Sequence, residues 1–159
     1  MRFWFDTEFI EDGRTIDLLS IGIVAEDGRE FYCEFDVDHR RASPWVKENV
    51  IAHLQGTPVY SRAVAAELIK EFCGEKPELW AYYADYDWVA LCQLFGTMMN
   101  LPEGWPMYCR DLKQLLDERG NPTIPKQTNG LHNALEDARW TKLAWQSLDA
   151  HIAAYTPDP

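Results

Sequence analysis

Between Arg2 and Val37 the chain carries three β-type segments separated by two Asp-Gly turn signals, and that pattern leaves it few ways to fold. Arg2 to Phe5 is short, apolar and aromatic and runs into Asp6-Thr7-Glu8, after which Glu11-Asp12-Gly13 marks a turn. A β-branched stretch follows from Thr15 to Val24, Asp27-Gly28 punctuates again, and Arg29 to Val37 alternates. Two-residue periodicity broken by tight-turn residues predicts three antiparallel strands joined by hairpins. Beyond them the period lengthens. Ser43-Pro44 supplies a cap and a first-turn proline for a helix over Trp45 to Leu54. Helical composition from Ser61 to Phe72 stops at Gly74, a strand is expected from Leu79 to Tyr83, and a helix from about Asp87 to Phe95 closes at Gly96. A strand around Met107 to Cys109, a helix from Asp111 to Glu118, a proline-rich loop from Asn121 to Gly130 and a long amphipathic helix from about Asn133 to Ala154 complete the order. A meander followed by alternating helices and strands implies an α/β fold with a mixed sheet and helices on its faces.

With 47% hydrophobic and 26% charged residues, the 159 residues can build a core without disulfide or zinc support, and we expect one domain over 1–159. The 15 Lys and Arg against 26 Asp and Glu give a net charge of -11, which argues against gripping an extended duplex by charge neutralisation. Contact with a chain end remains open, as does a cluster of carboxylates around divalent cations. The longest mostly apolar run, Leu18 to Ala25, is too short to span a membrane. Asp6 and Glu8 interrupt the first apolar segment before the core of a secretory leader could develop. Cys33, Cys73, Cys92 and Cys109 form no CxxC pair and read as reduced thiols, so a cytoplasmic protein without structural zinc is expected.

Asp6 and Glu8 stand two apart at the end of a predicted strand, so their side chains share one face. Alone, that pair equally fits a solvated strand end, but Phe3 and Phe5 anchor it at the edge of a core, where charge must be neutralised. Asp87 follows the strand at Leu79 to Tyr83, where sites in open α/β folds commonly lie; Asp85 suits a helix cap or solvent. Asn133 with Glu136 resembles a capping box, which places Asp137 in the first turns of the last helix and His132 on the loop before it. From there a loop histidine and a helix aspartate can serve one site. Were Asp6, Glu8, Asp87 and Asp137 to converge, each pair at 4 Å would repel by ~4 kcal/mol at an effective dielectric near 20, so cations are needed. Oxygen-only ligands suit two Mg²⁺ ions, with Mn²⁺ able to substitute. An imidazole, which changes protonation near neutral pH, suits the task of taking a proton from water, and His132 is expected there.

Phe5-Asp6-Thr7-Glu8, Tyr86-Asp87 and His132 with Asp137 resemble, in order and spacing, the three motifs of the DEDDh 3′-to-5′ exonucleases, over most of the chain from Phe3 to about Trp140. The resemblance implies a ribonuclease H-like fold, whose element order matches that given above. A closer likeness joins Asp6-Thr7-Glu8-Phe9-Ile10-Glu11-Asp12-Gly13 and Tyr86-Asp87-Trp88-Val89-Ala90-Leu91-Cys92-Gln93-Leu94 to the small actinobacterial polyadenylate-specific exoribonucleases, the RNase AS group. That likeness implies metal ligands at Asp6, Glu8, Asp87 and Asp137, a general base at His132, and a homodimer acting on single-stranded, adenylated RNA 3′ ends with release of nucleoside 5′-monophosphates. Phe9-Ile10 replaces the small-residue turn of proofreading enzymes, and Tyr83 stands where many relatives have Asn, which points away from DNA. The alternatives are a DNA exonuclease with the same site and an inactive RNA-binding protein.

Seven each of Trp, Tyr and Phe exceed what a small core needs. Phe9, next to Glu8, is the candidate for contacting the terminal base, with core packing as its other reading, and Glu8 is expected to touch substrate as well. Trp80 and Trp88 are expected to pack against sheet and helix, and Trp140 and Trp145 in the core or at the dimer surface. Arg40, Arg41, Arg110, Lys113 and Arg139 could meet phosphates or simply be solvated.

Overall fold

The computed structural model describes residues 1–128 and 130–155, with backbone alone from residue 149. Three antiparallel strands open it: β1 (Arg2–Glu11), β2 (Ile16–Ala25) and β3 (Glu30–Glu34). Gly13 (φ 82°) and Gly28 (φ 93°) take the left-handed conformations their tight turns require. β2 is buried from Leu18 to Ala25 because it lies inside the sheet with both faces covered, which explains its unbroken apolar run. The five-stranded sheet has the order β3-β2-β1-β4-β5, with β4 (Glu78–Ala81) parallel to β1 and β5 (Arg110–Asp111) parallel to β4.

Side-chain alternation along β1 divides the molecule. Phe3 and Phe5 enter one core with Ile69 of α2 (Arg62–Cys73) and Leu91 of α3 (Asp85–Leu94). Trp4 enters a second core with Leu112 and Leu116 of α4 (Leu112–Glu118) and Ala144 and Leu148 of α5 (Ala134–Tyr155). A short α1 (Pro44–Asn49) begins at Ser43, whose Oγ accepts from Val46 N, and gives way to a 3-10 turn instead of running on to Leu54. Ser61 caps α2 in the same way, and its buried stripe of Ala65, Ala66, Ile69 and Cys73 has helical spacing. Burying a side chain such as Ile69 contributes roughly 1.5–3 kcal/mol.

The strand at Met107 to Cys109 forms instead at Arg110–Asp111, because only those two residues align with Trp80 and Ala81. Of the two settings expected for Asp85, the structure shows the solvated one: it is exposed and does not cap α3, and Asp111 Oδ2 accepts from Ala84 N at 2.9 Å. Within the expected loop, Asn129 lies outside the described residues. No helix among the described residues is long and apolar enough to cross a membrane.

α5 packs across β1 and β2 because small residues face the sheet. Ala134, Ala138 and Ala144 are buried, and a Cβ on Gly22 would sit 2.4 Å from the Ala134 carbonyl carbon and the Leu135 Cα. Only glycine permits that approach, and Gly22 pairs with Asp6 in the sheet. The first turn of α5 is thereby seated over the acidic end of β1. Farther along, Lys142 Nζ bonds the Ala25 carbonyl at 2.6 Å, and Arg139 bridges to Glu30.

Candidate active site

Carboxylate oxygens of Asp6, Glu8 and Asp137 lie within 4.8 Å of one another. β1 supplies the first two by its two-residue period, and α5 supplies the third from its first turn, which Asn133 caps by accepting from Glu136 N at 3.2 Å. Asp137 is held by Gln127 Nε2, which donates to its Oδ1, and by the backbone N–H of His132, which donates to Oδ2 at 3.0 Å. His132 adopts φ 64°, a left-handed conformation that a non-glycine residue takes at a cost, and this turn aims its N–H at the carboxylate. The imidazole packs T-shaped against the Trp45 ring, with centroids 4.8 Å apart and planes at 81°.

Asp87 comes to the same end of the sheet from the other layer. It is buried, and its Oδ1 accepts from Thr7 N at 2.9 Å and Thr7 Oγ1 at 2.5 Å. The four predicted carboxylates are therefore a group of three with the fourth alongside, tied to the strand residue between the pair. Burial, helped by the charges of Asp111 and Asp137 and opposed by the two Thr7 bonds, raises the Asp87 pKa to about 6. Burial, then the charges of Asp87, Glu8 and Asp137, hold Asp6 well above the usual carboxylate range. Burial and the charges of Asp137 and Asp87 push Glu8 up to about 8. Burial also raises Asp137, although its bonds from Gln127 and His132 act the other way. No lysine or arginine forms an ion pair with any of the four among the described residues. Like charges held this close, with acceptor-only hard oxygens, fit a divalent cation such as Mg²⁺ or Mn²⁺.

A cleft of about 460 Å³ opens beside the cluster, lined by Asp6, Tyr82, Gln127, His132, Asp137 and Trp140 among others. A larger groove of about 840 Å³, between the end of α2 and residues 102–104, shares no residue with the cluster, and its acids Glu67, Glu71, Glu75 and Glu103 are all exposed. Phe9 is in neither of its expected settings alone: it is half-buried and stacks on exposed Tyr86, with centroids 5.7 Å apart and planes at 18°. Trp80 packs in the second core as expected; Trp140 and Trp145 lie against it, and Trp88 lies against the first. Sequence reasoning missed Gln127, Trp45, Tyr82 and Gly22, whose positions depend on contacts distant in the chain.

An acidic cluster of this kind at the end of a mixed sheet has the donor set of a divalent-cation site, and comparison with known proteins places the chain in a family. Residues 1–148 match the 3′-5′ exoribonuclease Rv2179c-like domain, and the chain belongs to that family. Two relatives in Mycobacterium tuberculosis, 3′-5′ exoribonuclease Rv2179c of strain H37Rv and 3′-5′ exoribonuclease MT2234.1 of strain CDC 1551 / Oshkosh, are each 44% identical over 147 residues. Each alignment covers 87% of this chain and 88% of the relative. The fold is shared with a chain in the co-crystal structure of the yeast NOT1 MIF4G domain with CAF1, at a TM-score of 0.58 and 12% identity, over 98% of this chain and 81% of that one.

Proposed function

We propose that this protein is a metal-dependent 3′-to-5′ exoribonuclease of ribonuclease H-like, DEDDh type. It would remove nucleoside 5′-monophosphates from single-stranded RNA ending in adenosines. The observation that carries this reading is the convergence of Asp6, Glu8 and Asp137, with no ion pair to a described lysine or arginine, in a member of an exoribonuclease family. Asp6, Glu8 and Asp137, with Asp87 beside them, are the residues that would hold Mg²⁺ or Mn²⁺, two ions per site. When bound, the ions supply Lewis acidity to water and to the scissile phosphodiester. Gln127 and the His132 N–H keep Asp137 turned into the cluster. The His132 imidazole takes one proton from water as its oxygen bonds to phosphorus, the P–O3′ bond breaks, and the departing O3′ takes a proton from a solvent water, His132 later returning its own to solvent. The products are a nucleoside 5′-monophosphate and an RNA shortened by one residue with a free 3′-hydroxyl. Phe9 and Tyr86 offer a stacking surface for the terminal base, and Glu8 would touch the terminal nucleotide; adenine preference must come from hydrogen bonds to the base edge, because stacking tolerates every base. A cytoplasmic homodimer is part of the proposal, and exposed Met98, Met99, Met107 and Tyr108 are available for such contact.

Incubating the purified protein and Mg²⁺ with 5′-labelled RNA ending in adenosines, and resolving the products on a sequencing gel, tests the reading. A ladder shortening from the 3′ end with release of AMP is expected, with little cutting of matched DNA. Equal rates on oligo(A), oligo(U) and oligo(C) would remove the adenylate preference and leave the nuclease, while cutting of DNA alone would replace the RNA substrate.

A further inference from the structure

A strand entering the carboxylate cleft carries one negative charge per phosphate into a protein of net charge -11, so a cation in the cleft has work to do there. The basic residues that the sequence offers for this are committed elsewhere. Arg40 pairs with Asp38, Arg41 with Asp12 and Asp17, Arg110 with Glu78, Lys113 with Asp117, and Arg139 with Glu30 and Glu136. None of the five lines the cleft, whereas Lys126 does.

Lys126 is exposed and forms no ion pair with any described residue, although it shares the cleft with Asp6 and Asp137. Its main chain is anchored on both sides. Before it, the Pro125 carbonyl accepts from Trp140 Nε1 at 2.9 Å, and Ile124 packs against the core of Trp4, Trp80 and Leu112. After it, Gln127 donates to Asp137, the helix member of the cluster. The contact that orients Asp137 therefore also fixes where Lys126 begins. We infer that Lys126 grips the RNA backbone, its ammonium donating to a non-bridging phosphate oxygen of the strand in the cleft. The inference rests on the exoribonuclease reading and adds a substrate-binding residue to it. A point charge reads no base, so its contribution is the same for every sequence.

The test compares Lys126→Ala and Lys126→Arg with Lys76→Ala, which removes the same charge from the separate groove beside α2. Binding of fluorescent RNA ending in adenosines is followed by anisotropy in EDTA at several salt concentrations, and turnover is measured with Mg²⁺. Lys126→Ala is expected to weaken binding about tenfold, as for one charge-assisted hydrogen bond. It should also lower the slope of log affinity against log salt by about 0.7. KM should rise with kcat nearly unchanged, the signature of binding shared by ground and transition states. Lys126→Arg should keep the slope, and Lys76→Ala should behave as wild type. If wild type binds and cuts RNA but Lys126→Ala matches Lys76→Ala in slope and KM, the role of Lys126 is overturned alone. A wild-type protein that neither binds nor cuts RNA overturns the exoribonuclease reading and this inference with it.

Discussion

The two faces of β1 are built from the same strand and answer opposite demands. On the face toward α2 and α3, Phe3 and Phe5 are buried in an apolar core, and the first polar residue, Thr7, satisfies its N–H and hydroxyl on Asp87. On the face toward α5, Trp4 is buried, but Asp6 and Glu8 follow it against Asp137 with no lysine or arginine ion pair among the described residues. The first face contributes stability. The second holds like charges together because Gly22 lets α5 sit close and because apolar packing elsewhere outweighs their repulsion.

Substitutions that exchange the roles of the faces should show this, beginning with the largest effect. Asp6→Asn or Asp137→Asn should lower RNA turnover by ~10⁴-fold or more while the melting temperature in EDTA stays level or rises; a loss of fold in parallel with activity would make the α5-facing acids structural. His132→Ala should reduce the single-turnover rate by ~10²–10⁴ with an unchanged circular dichroism spectrum. On the opposite face Phe5→Ala should cost about 3–5 kcal/mol in urea unfolding, and a smaller cost than that of Thr7→Ala would contradict the division.

The next effect is electrostatic. Glu8 and Asp87 have folded-state pKa values raised to about 8 and about 6. Between the ordinary carboxylate range and those values the folded protein binds more protons than the unfolded one, so metal-free stability should fall as pH rises from about 4.5 to about 8. Glu8→Gln should remove much of that slope and stabilise the metal-free protein at pH 8 by on the order of 3 kcal/mol. Thermal melts in EDTA across this range would detect it, and stability rising with pH would reverse the assignment. Smallest of all, Asp85→Asn should change stability by less than about 0.5 kcal/mol and leave turnover intact, because Asp85 is exposed and caps nothing.

The meander and the acidic pair were legible because they depend on neighbours in the chain: a two-residue period aligns Asp6 with Glu8, and Asp-Gly turns set the hairpins. Asn133 capping α5 was legible for the same reason, although Glu136 completes no box and pairs with Arg139. Contacts across the fold were not. The seat that Gly22 provides for Ala134, the Asp111 carboxylate at Ala84 N, and the placing of Lys126 and Gln127 at the cleft all require the path of distant segments. Asp87 was found at the right helical turn, but its attachment to Thr7 could not be read, since it depends on which layer α3 occupies.

The most direct test of the central claim is the melting temperature at pH 8, where the carboxylates facing α5 are more fully charged than at neutral or acid pH, measured in EDTA and in millimolar Mn²⁺ or Mg²⁺. The account predicts a rise of several degrees with cation for wild type, and a much smaller rise for Asp6→Asn and Asp137→Asn. A wild-type protein whose melting is indifferent to divalent cations, or variants that respond as strongly as wild type, would contradict it.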